Sequence, residues 1–255
     1  MIGYGAIGQD LSRLLAQRAE TAITLVGALV HHPSKPRPTG SPTIMITRSA
    51  LLAEHPDVVV EVAGHAGLRE HGPSILRAGI DLIFVSVGVL AEPELLQDMV
   101  DALHQSGARA TIASGAIGGL DALAAASLGG LTHVTHTMRR PPASLLPPEE
   151  SARCTQEREI FRGSARDAVV QFPEFLNIAA AVALAGKGFD ETEVRVLADP
   201  AIGYSLHEVQ AKGEFGSLHL SIENRPIPSH GRGARLVAMS IMHTLLMRSA
   251  SLRIG

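Results

Sequence analysis

The chain has no tryptophan, and aromatic residues of every kind make up only 3% of it. That composition argues against a platform of stacked rings for single-stranded nucleic acid. There is one cysteine, Cys154, so no internal disulfide and no zinc site built from thiolates can form within one chain. A reducing compartment, the cytoplasm, is the expected setting. No apolar run is long enough to span a bilayer, so no membrane partner is expected. Neither sign of charge dominates: 22 Lys and Arg stand against 25 Asp and Glu, with a net charge of -3. A broad basic field for nucleic acid is therefore absent.

What is present is aliphatic. Apolar residues make up 45% of 255 positions, enough for one large domain or two modest ones with real cores. Short apolar runs read as strands at 23–30 (ITLVGALV), 57–64 (DVVVEVAG), 81–88 (DLIFVSVG) and 109–116 (RATIASGA). Helical patterns separate them: Leu68, Ile75 and Leu76 in 65–78, then Leu95, Leu96, Met99 and Leu103 in 92–105. Continuous apolar strands alternating with helices predict a Rossmann-type parallel sheet covered on both faces. The strands run into Gly64, Gly88 and Gly115, at the ends where open parallel sheets bind ligands.

The pattern changes after residue 118. A helix leads to a strand at 132–138, and the proline-rich run RRPPASLLPPEES predicts a surface loop. EIFRGSARDAVVQF (159–172) and NIAAAVALAGKG (177–188) read as helices. ETEVRVLADP, SLHEVQAKGEFG and SLHLSIENRPIP read as consecutive strands, the last two joined by a turn at Gly213–Gly216. A C-terminal mixed α/β domain with a largely antiparallel sheet is expected. ARLVAMSIMHTLLMRS then forms a final helix that returns to the first domain. The expected division is 1–117, 118–233 and the helix 234–255.

The chain opens MIGYGAIGQDL, where Gly3, Gly5 and Gly8 make a G-x-G-x-x-G pattern enclosing Ala6 and Ile7. Such a loop normally follows a buried strand and opens a helix that receives a dinucleotide pyrophosphate. Only Met1 and Ile2 precede it, where a strand of about five residues is usual. The flanking strands are expected to lose their partner, and the protein is expected to begin several residues upstream.

Several segments together resemble the L-aspartate dehydrogenase family. SGAIGGLDAL at 114–123 is similar to the hinge between that family's two domains. The likeness continues through EVAGHAGLREHGP (61–73), SVGVLAEPELL (86–96), FRGSARDAVVQFP (161–173), NIAAAVALAG (177–186) and ADPAIGYSLHEVQAKGEFG (198–216). The resemblance implies a dinucleotide-binding domain, a second domain carrying the substrate site and dimer contacts, and NAD or NADP as cofactor. It implies oxidation of L-aspartate to iminoaspartate, which hydrolyses to oxaloacetate and ammonia.

By the same resemblance, His207 falls on the catalytic histidine, Asn177 and Ala116 on cofactor-contacting positions, and Gly3, Gly5, Ala6, Ile7 and Gly8 on the phosphate loop. Imidazole suits the role, because its ordinary pKa near 6.5 permits proton exchange near neutrality. Asn177 equally suits a helix cap. Arg139 and Arg140 read either as an exposed charge pair or as bidentate donors to substrate carboxylates. The family usually has Arg-Lys-Pro-Pro there, so Arg140 keeps the charge. No metal is expected, and His65, His71, His133 and His136 are assigned structural roles.

Two departures stand out. Ser205 replaces an Asn common two residues before the catalytic histidine. His230-Gly231-Arg232-Gly233-Ala234 replaces Asn-Pro-Lys-Thr-Ser, leaving Arg232 as the stand-in for the lysine. They keep open two alternatives: a dehydrogenase or imine reductase for another amino acid, or a silent NAD(P)-binding protein. The second strand ends near Val30 with no acid for the ribose hydroxyls, while Ser34, Lys35 and Arg37 follow. That pattern predicts use of both cofactors or a preference for NADP; a plain basic loop is the other reading.

Overall fold

A computed structural model describes residues 1–18, 22–225 and 235–253. The chain divides into two compact units, Met1–Gly115 with Val237–Gly255, and Ala116–Leu236. The expected boundary at 233 lies outside the described residues.

In the first unit the glycine loop leads into α1 (Ala6–Ala16). Then follow β1 (Ala28–Leu29), β2 (Ile44–Met45), α2 (Arg48–Ala53) and β3 (Val58–Glu61). After them come α3 (His65–Arg77), β4 (Asp81–Phe84), α4 (Pro93–Ser106) and β5 (Ala110–Ile112). β1 pairs β2, and β3, β4 and β5 pair in turn, all in parallel. Ile2 bridges Leu29 on one side and Glu61 on the other. The resulting order, β2-β1-(Met1–Gly3)-β3-β4-β5, is the doubly wound arrangement with the glycine loop at its switch point.

The flanking strands do not lose their partner, contrary to expectation. Ile2 N donates to Val60 O at 2.8 Å and Val62 N to Ile2 O at 2.9 Å. On the other side Leu29 N reaches Met1 O and Gly3 N reaches Leu29 O, each at 2.8 Å. Three residues thus satisfy both neighbours over the length where the ladder exists. β1 is correspondingly shorter than the predicted 23–30, because its ladder partners are short on either side. The 81–88 strand likewise ends at Phe84, and Val87–Ala91 closes into a 3-10 turn.

The second unit begins with α5 (Leu120–Ser127) and β6 (Leu131–Arg140). The proline-rich run is not a plain loop. Pro142–Ser144 forms a 3-10 turn and α6 spans Pro148–Arg153, since proline is well placed at the first position of a helix. Next, β7 (Arg158–Ser164) overturns the helix expected from 159 onward. Its pairing with β8 (Glu193–Ala198) draws Glu159–Ser164 into the sheet. The helix α7 (Ala165–Gln171) starts only where Ser164 Oγ accepts from Asp167 N at 3.1 Å. α8 (Asn177–Ala185) precedes β8, and β9 (Ser205–Gly213) and β10 (Gly216–Asn224) close a hairpin.

The sheet order is β10-β9-β6-β8-β7. β6 therefore separates β8 from β9 and runs parallel to β8, so the three consecutive strands are not three neighbours. One face buries His136, Met138, Val194, Val196, His207 and Val209. A Cβ at Gly186, the residue after α8, would lie 3.4 Å from Val134 of this face and 3.5 Å from Leu123 of α5. The other face carries ion pairs, Arg195 with Glu159 and Arg162 with Glu193 among them, each worth little in water.

The last helix, α9 (Arg235–Ser249), belongs to the first unit from Val237 onward. Ala238, Ile241, Met242 and Leu245 join Leu11, Ala28, Val60, Ile83 and Ala113 in one core cluster. Gly115 N donates to Ser240 Oγ at 3.0 Å, fixing the end of the sheet to this helix.

Candidate active site

The three glycines of the opening loop meet three different constraints. Gly3 has φ +87°, and a Cβ there would lie 2.7 Å from Val62 O and 2.8 Å from Ala63 Cα. Gly8 faces Gly3 O at 3.0 Å and Met1 Sδ at 3.3 Å in the same sense, so strand and helix approach closely. At Gly5 nothing lies within 4 Å of that position. Gly5 is also the N-cap of α1, with no side chain capping the helix. The first amides of α1, those of Ala6, Ile7 and Gly8, lack intrahelical acceptors, and an open helix N-terminus favours an anion. The loop fits a dinucleotide pyrophosphate.

Glu61 organises the ends of two neighbouring strands. It is fully buried, and its Oε1 accepts from Ala63 N at 2.6 Å, Gly64 N at 3.0 Å and Ser86 Oγ at 2.9 Å. Burial pushes its pKa up, against the pull of these hydrogen bonds. Beyond β1, the 32–37 loop folds around Arg37, whose guanidinium donates to Pro33 O at 2.6 Å, Lys35 O at 2.8 Å and His32 O at 2.6 Å.

In the second unit, β9 carries His207 onto the buried sheet face, where it is 4% exposed. Its Nδ1 lies 3.1 Å from Nε2 of His136, a completely buried residue of β6. The two rings are nearly parallel, 7° apart. In the register Met138 stands opposite His207, which puts His136 on the adjacent diagonal. Burial lowers the His136 pKa to about 4. His207 is held well below its ordinary value by burial first, then by His136 and Arg140. Both rings are neutral at pH 7.

Arg140 shares the face of His136 and Met138 by strand alternation. Its guanidinium carbon lies 4.3 Å from the Phe175 ring centroid, and its Nε donates to Ser144 Oγ at 3.2 Å. Alternation sends Arg139 to the opposite face, where it pairs with Glu157 at 2.8 Å and with Glu208. The charge pair of the sequence is thus split between two faces. Asn177 is the first residue of α8, with Leu176 at the N-cap position. Ala116 is buried, and its carbonyl accepts from Asn224 Nδ2 at 2.8 Å. Arg232 and the 230–234 segment lie outside the described residues.

Three residues passed over in the sequence thus stand beside the candidates: His136, Glu61 and Asn224. A carboxylate inside DVVVEVAG was a visible signal for Glu61, because a buried charge needs partners. Period-2 alternation from Arg140 could have placed His136 on the same face. Its partnership with His207 depends on a register that no local pattern encodes. Among the described residues, no group of three or more His, Cys, Asp or Glu is placed to hold a metal. No described helix is long and apolar enough to cross a membrane.

Comparison with known proteins extends these observations to the whole chain. Residues 121–248 match a family described as aspartate dehydrogenase, C-terminal, and residues 3–113 match homoserine dehydrogenase, NAD binding domain. The chain is 38% identical to an L-aspartate dehydrogenase of Ralstonia nicotianae, over 100% of this chain and 98% of the relative. It is 37% identical to one of Ruegeria pomeroyi, over 99% and 93% of the two chains. Among solved structures, an aspartate dehydrogenase from Thermotoga maritima superposes with a TM-score of 0.78 at 24% identity, covering 100% of this chain and 97% of that one. A hyperthermophilic archaeal homoserine dehydrogenase mutant in complex with NADPH gives 0.61 at 10% identity, covering 99% and 98%.

Proposed function

This chain belongs to the L-aspartate dehydrogenase family, and from that premise we propose that it oxidises L-aspartate to iminoaspartate, with His207 facing the reacting centre. The cofactor is a nicotinamide dinucleotide. When bound, it accepts the hydride that leaves the substrate α-carbon. The carbon–hydrogen bond breaks, the amine lone pair forms the carbon–nitrogen double bond, and one proton is released. Water then adds to the imine, releasing ammonia and oxaloacetate.

The chain's own residues supply binding and polarity. Gly5 leaves room for the pyrophosphate, and the amides of Ala6, Ile7 and Gly8 receive its charge. Gly3 and Gly8 shape the loop that makes this possible. Ala116 and Asn177 are the further cofactor contacts in this reading. Arg140, its plane backed by Phe175, is the donor to a substrate carboxylate, and a planar guanidinium suits bidentate recognition. Arg232 completes the proposed substrate contacts. His207 presents Nε2 to the substrate, because Nδ1 is engaged by His136.

The observation that carries the reading is a buried histidine sharing a sheet face with an arginine, in a chain 38% identical to named L-aspartate dehydrogenases. No acid follows β1, and Lys35 stands in the loop built around Arg37. These features support use of NADP alongside NAD. The single half-buried thiol of Cys154 supports a cytoplasmic setting. A homodimer is part of the proposal, to be read by sedimentation equilibrium.

The test is the initial rate of NADH and NADPH formation with L-aspartate, beside His207→Ala. Aspartate-dependent formation of both, reduced about a hundredfold or more in the variant, is expected. Folded protein that ignores aspartate would shift the reading to another amino acid or to a silent binding protein. A strong preference for NAD would remove the NADP part alone.

A further inference from the structure

Resting on the dehydrogenase reading, we propose that His136 is a positioning residue that holds His207 as the neutral Nε2–H tautomer, so that His207 meets the substrate as a hydrogen-bond donor and not as a base. A neutral imidazole carries one N–H and one bare nitrogen. The 3.1 Å contact between His136 Nε2 and His207 Nδ1 needs one donor and one acceptor. His136 Nδ1 is buried and has no hydrogen-bond partner among the described residues.

Two arrangements satisfy the contact. If His207 Nδ1 donates, the His136 proton must sit on Nδ1, an N–H sealed in the core with nothing to receive it. If His136 Nε2 donates, only a bare lone pair is left at that position. Buried orphan donors are the rarer defect, so the second arrangement is favoured. It places the His207 proton on Nε2. That nitrogen makes no hydrogen bond to another described residue.

The consequence is chemical. Nδ1 of His207 is occupied by a donor and Nε2 already bears its proton, so the ring has no free lone pair to accept another. The charged and titratable groups that act on His207 are His136 and Arg140, both from β6. β10 places Ile222 opposite His207, β8 contributes Val194 and Val196 to the same face, and the buried positions of α8 are apolar. Among the described residues that act on His207, none offers a negative charge to stabilise an imidazolium. A neutral imidazole held this way polarises a substrate oxygen or nitrogen by donation, and the amine must shed its proton elsewhere.

The experiment has two arms on the full-length protein. Histidine ring nitrogens are labelled with nitrogen-15, and their shifts are followed from pH 8 to pH 5.5, assigned with single-site variants. The expected result is a neutral, Nε2-protonated ring for both His136 and His207 throughout. A Nδ1–H on His207, or an imidazolium above pH 6, would overturn the proposal. This arm needs no turnover, so it stands even if aspartate proves not to be the substrate.

In the kinetic arm, His136→Phe keeps the ring shape without the donor, and His136→Gln restores an amide donor. His136→Phe is expected to lower kcat by about tenfold to a hundredfold with little change in the aspartate KM. It should also shift the acid limb of the rate profile upward, because His207 Nδ1 becomes free to take a proton. His136→Gln should recover most of the rate. Equal losses in the two variants, with the profile unmoved, would leave His136 a packing residue and defeat the proposal.

Discussion

Burying two imidazoles side by side makes acid sensitivity a property of particular residues. Burial lowers the His136 pKa to about 4, whereas an unfolded chain returns it to about 6.5. Below that pH the unfolded state binds a proton that the folded state refuses. The sign is therefore fixed: the fold is undiminished above about pH 6.5 and loses stability as pH falls from there towards 4. For His136 alone the loss across that window is about 3 kcal/mol. Denaturant unfolding at pH 7 and pH 4 measures it, and His136→Phe is expected to flatten the difference. An unchanged slope would place the acid sensitivity elsewhere. Glu61 illustrates the complementary case, a buried carboxylate kept in place by the donors of Ala63, Gly64 and Ser86.

At the scale of elements, the opening loop separates folding from binding within six residues. A side chain at Gly3 collides with backbone at 2.7 Å and must adopt φ +87°. Gly3→Ala is expected to destabilise the first unit by about 2 kcal/mol or more. Gly5→Ala meets nothing within 4 Å, so its effect on stability is expected to be about 0.5 kcal/mol. The methyl group would nevertheless fill the space for the pyrophosphate, and dinucleotide affinity should fall sharply. Thermal unfolding and a fluorescence titration with NADH or NADPH read the two effects separately. Gly5→Ala that binds normally would remove the phosphate from this loop. Strand lengths obey a related logic. β1 is two residues long although 23–30 is apolar throughout, because hydrogen bonds extend only where a partner runs alongside.

At the scale of the whole molecule, the first unit is built from both ends of the sequence. α9 supplies Ala238, Ile241, Met242 and Leu245 to a core whose other members come from residues before 115. Without it, that core loses four of its buried members. A fragment of residues 1–115 is therefore expected to lack cooperative unfolding, and joining residues 235–255 to it by a flexible linker is expected to restore it. Circular dichroism during denaturation decides the matter. Cooperative unfolding of 1–115 alone would show that α9 is dispensable to that core.

The parallel sheet, its covering helices, the glycine loop and the family likeness were legible in the sequence, because each is written in local periodicity or in contiguous motifs. The hairpin at Gly213–Gly216 was legible for the same reason. The helix expected over 159–172 is a helix only over Ala165–Gln171, since short apolar runs fit either period and β8 alongside drew the residues before it into a strand. His207 was recognisable by resemblance, but its burial and its partner were not. Sequence fixes which residues alternate on one strand; it does not fix which residue of another strand lies opposite. The register of β6 against β9 brought His136 to His207 across 71 positions, and the burial of that sheet face kept both rings neutral. The sequence thus determined that this chain folds as a dinucleotide-binding oxidoreductase, while tertiary pairing decided what its histidine can do, because a proton's position depends on neighbours that only folding supplies.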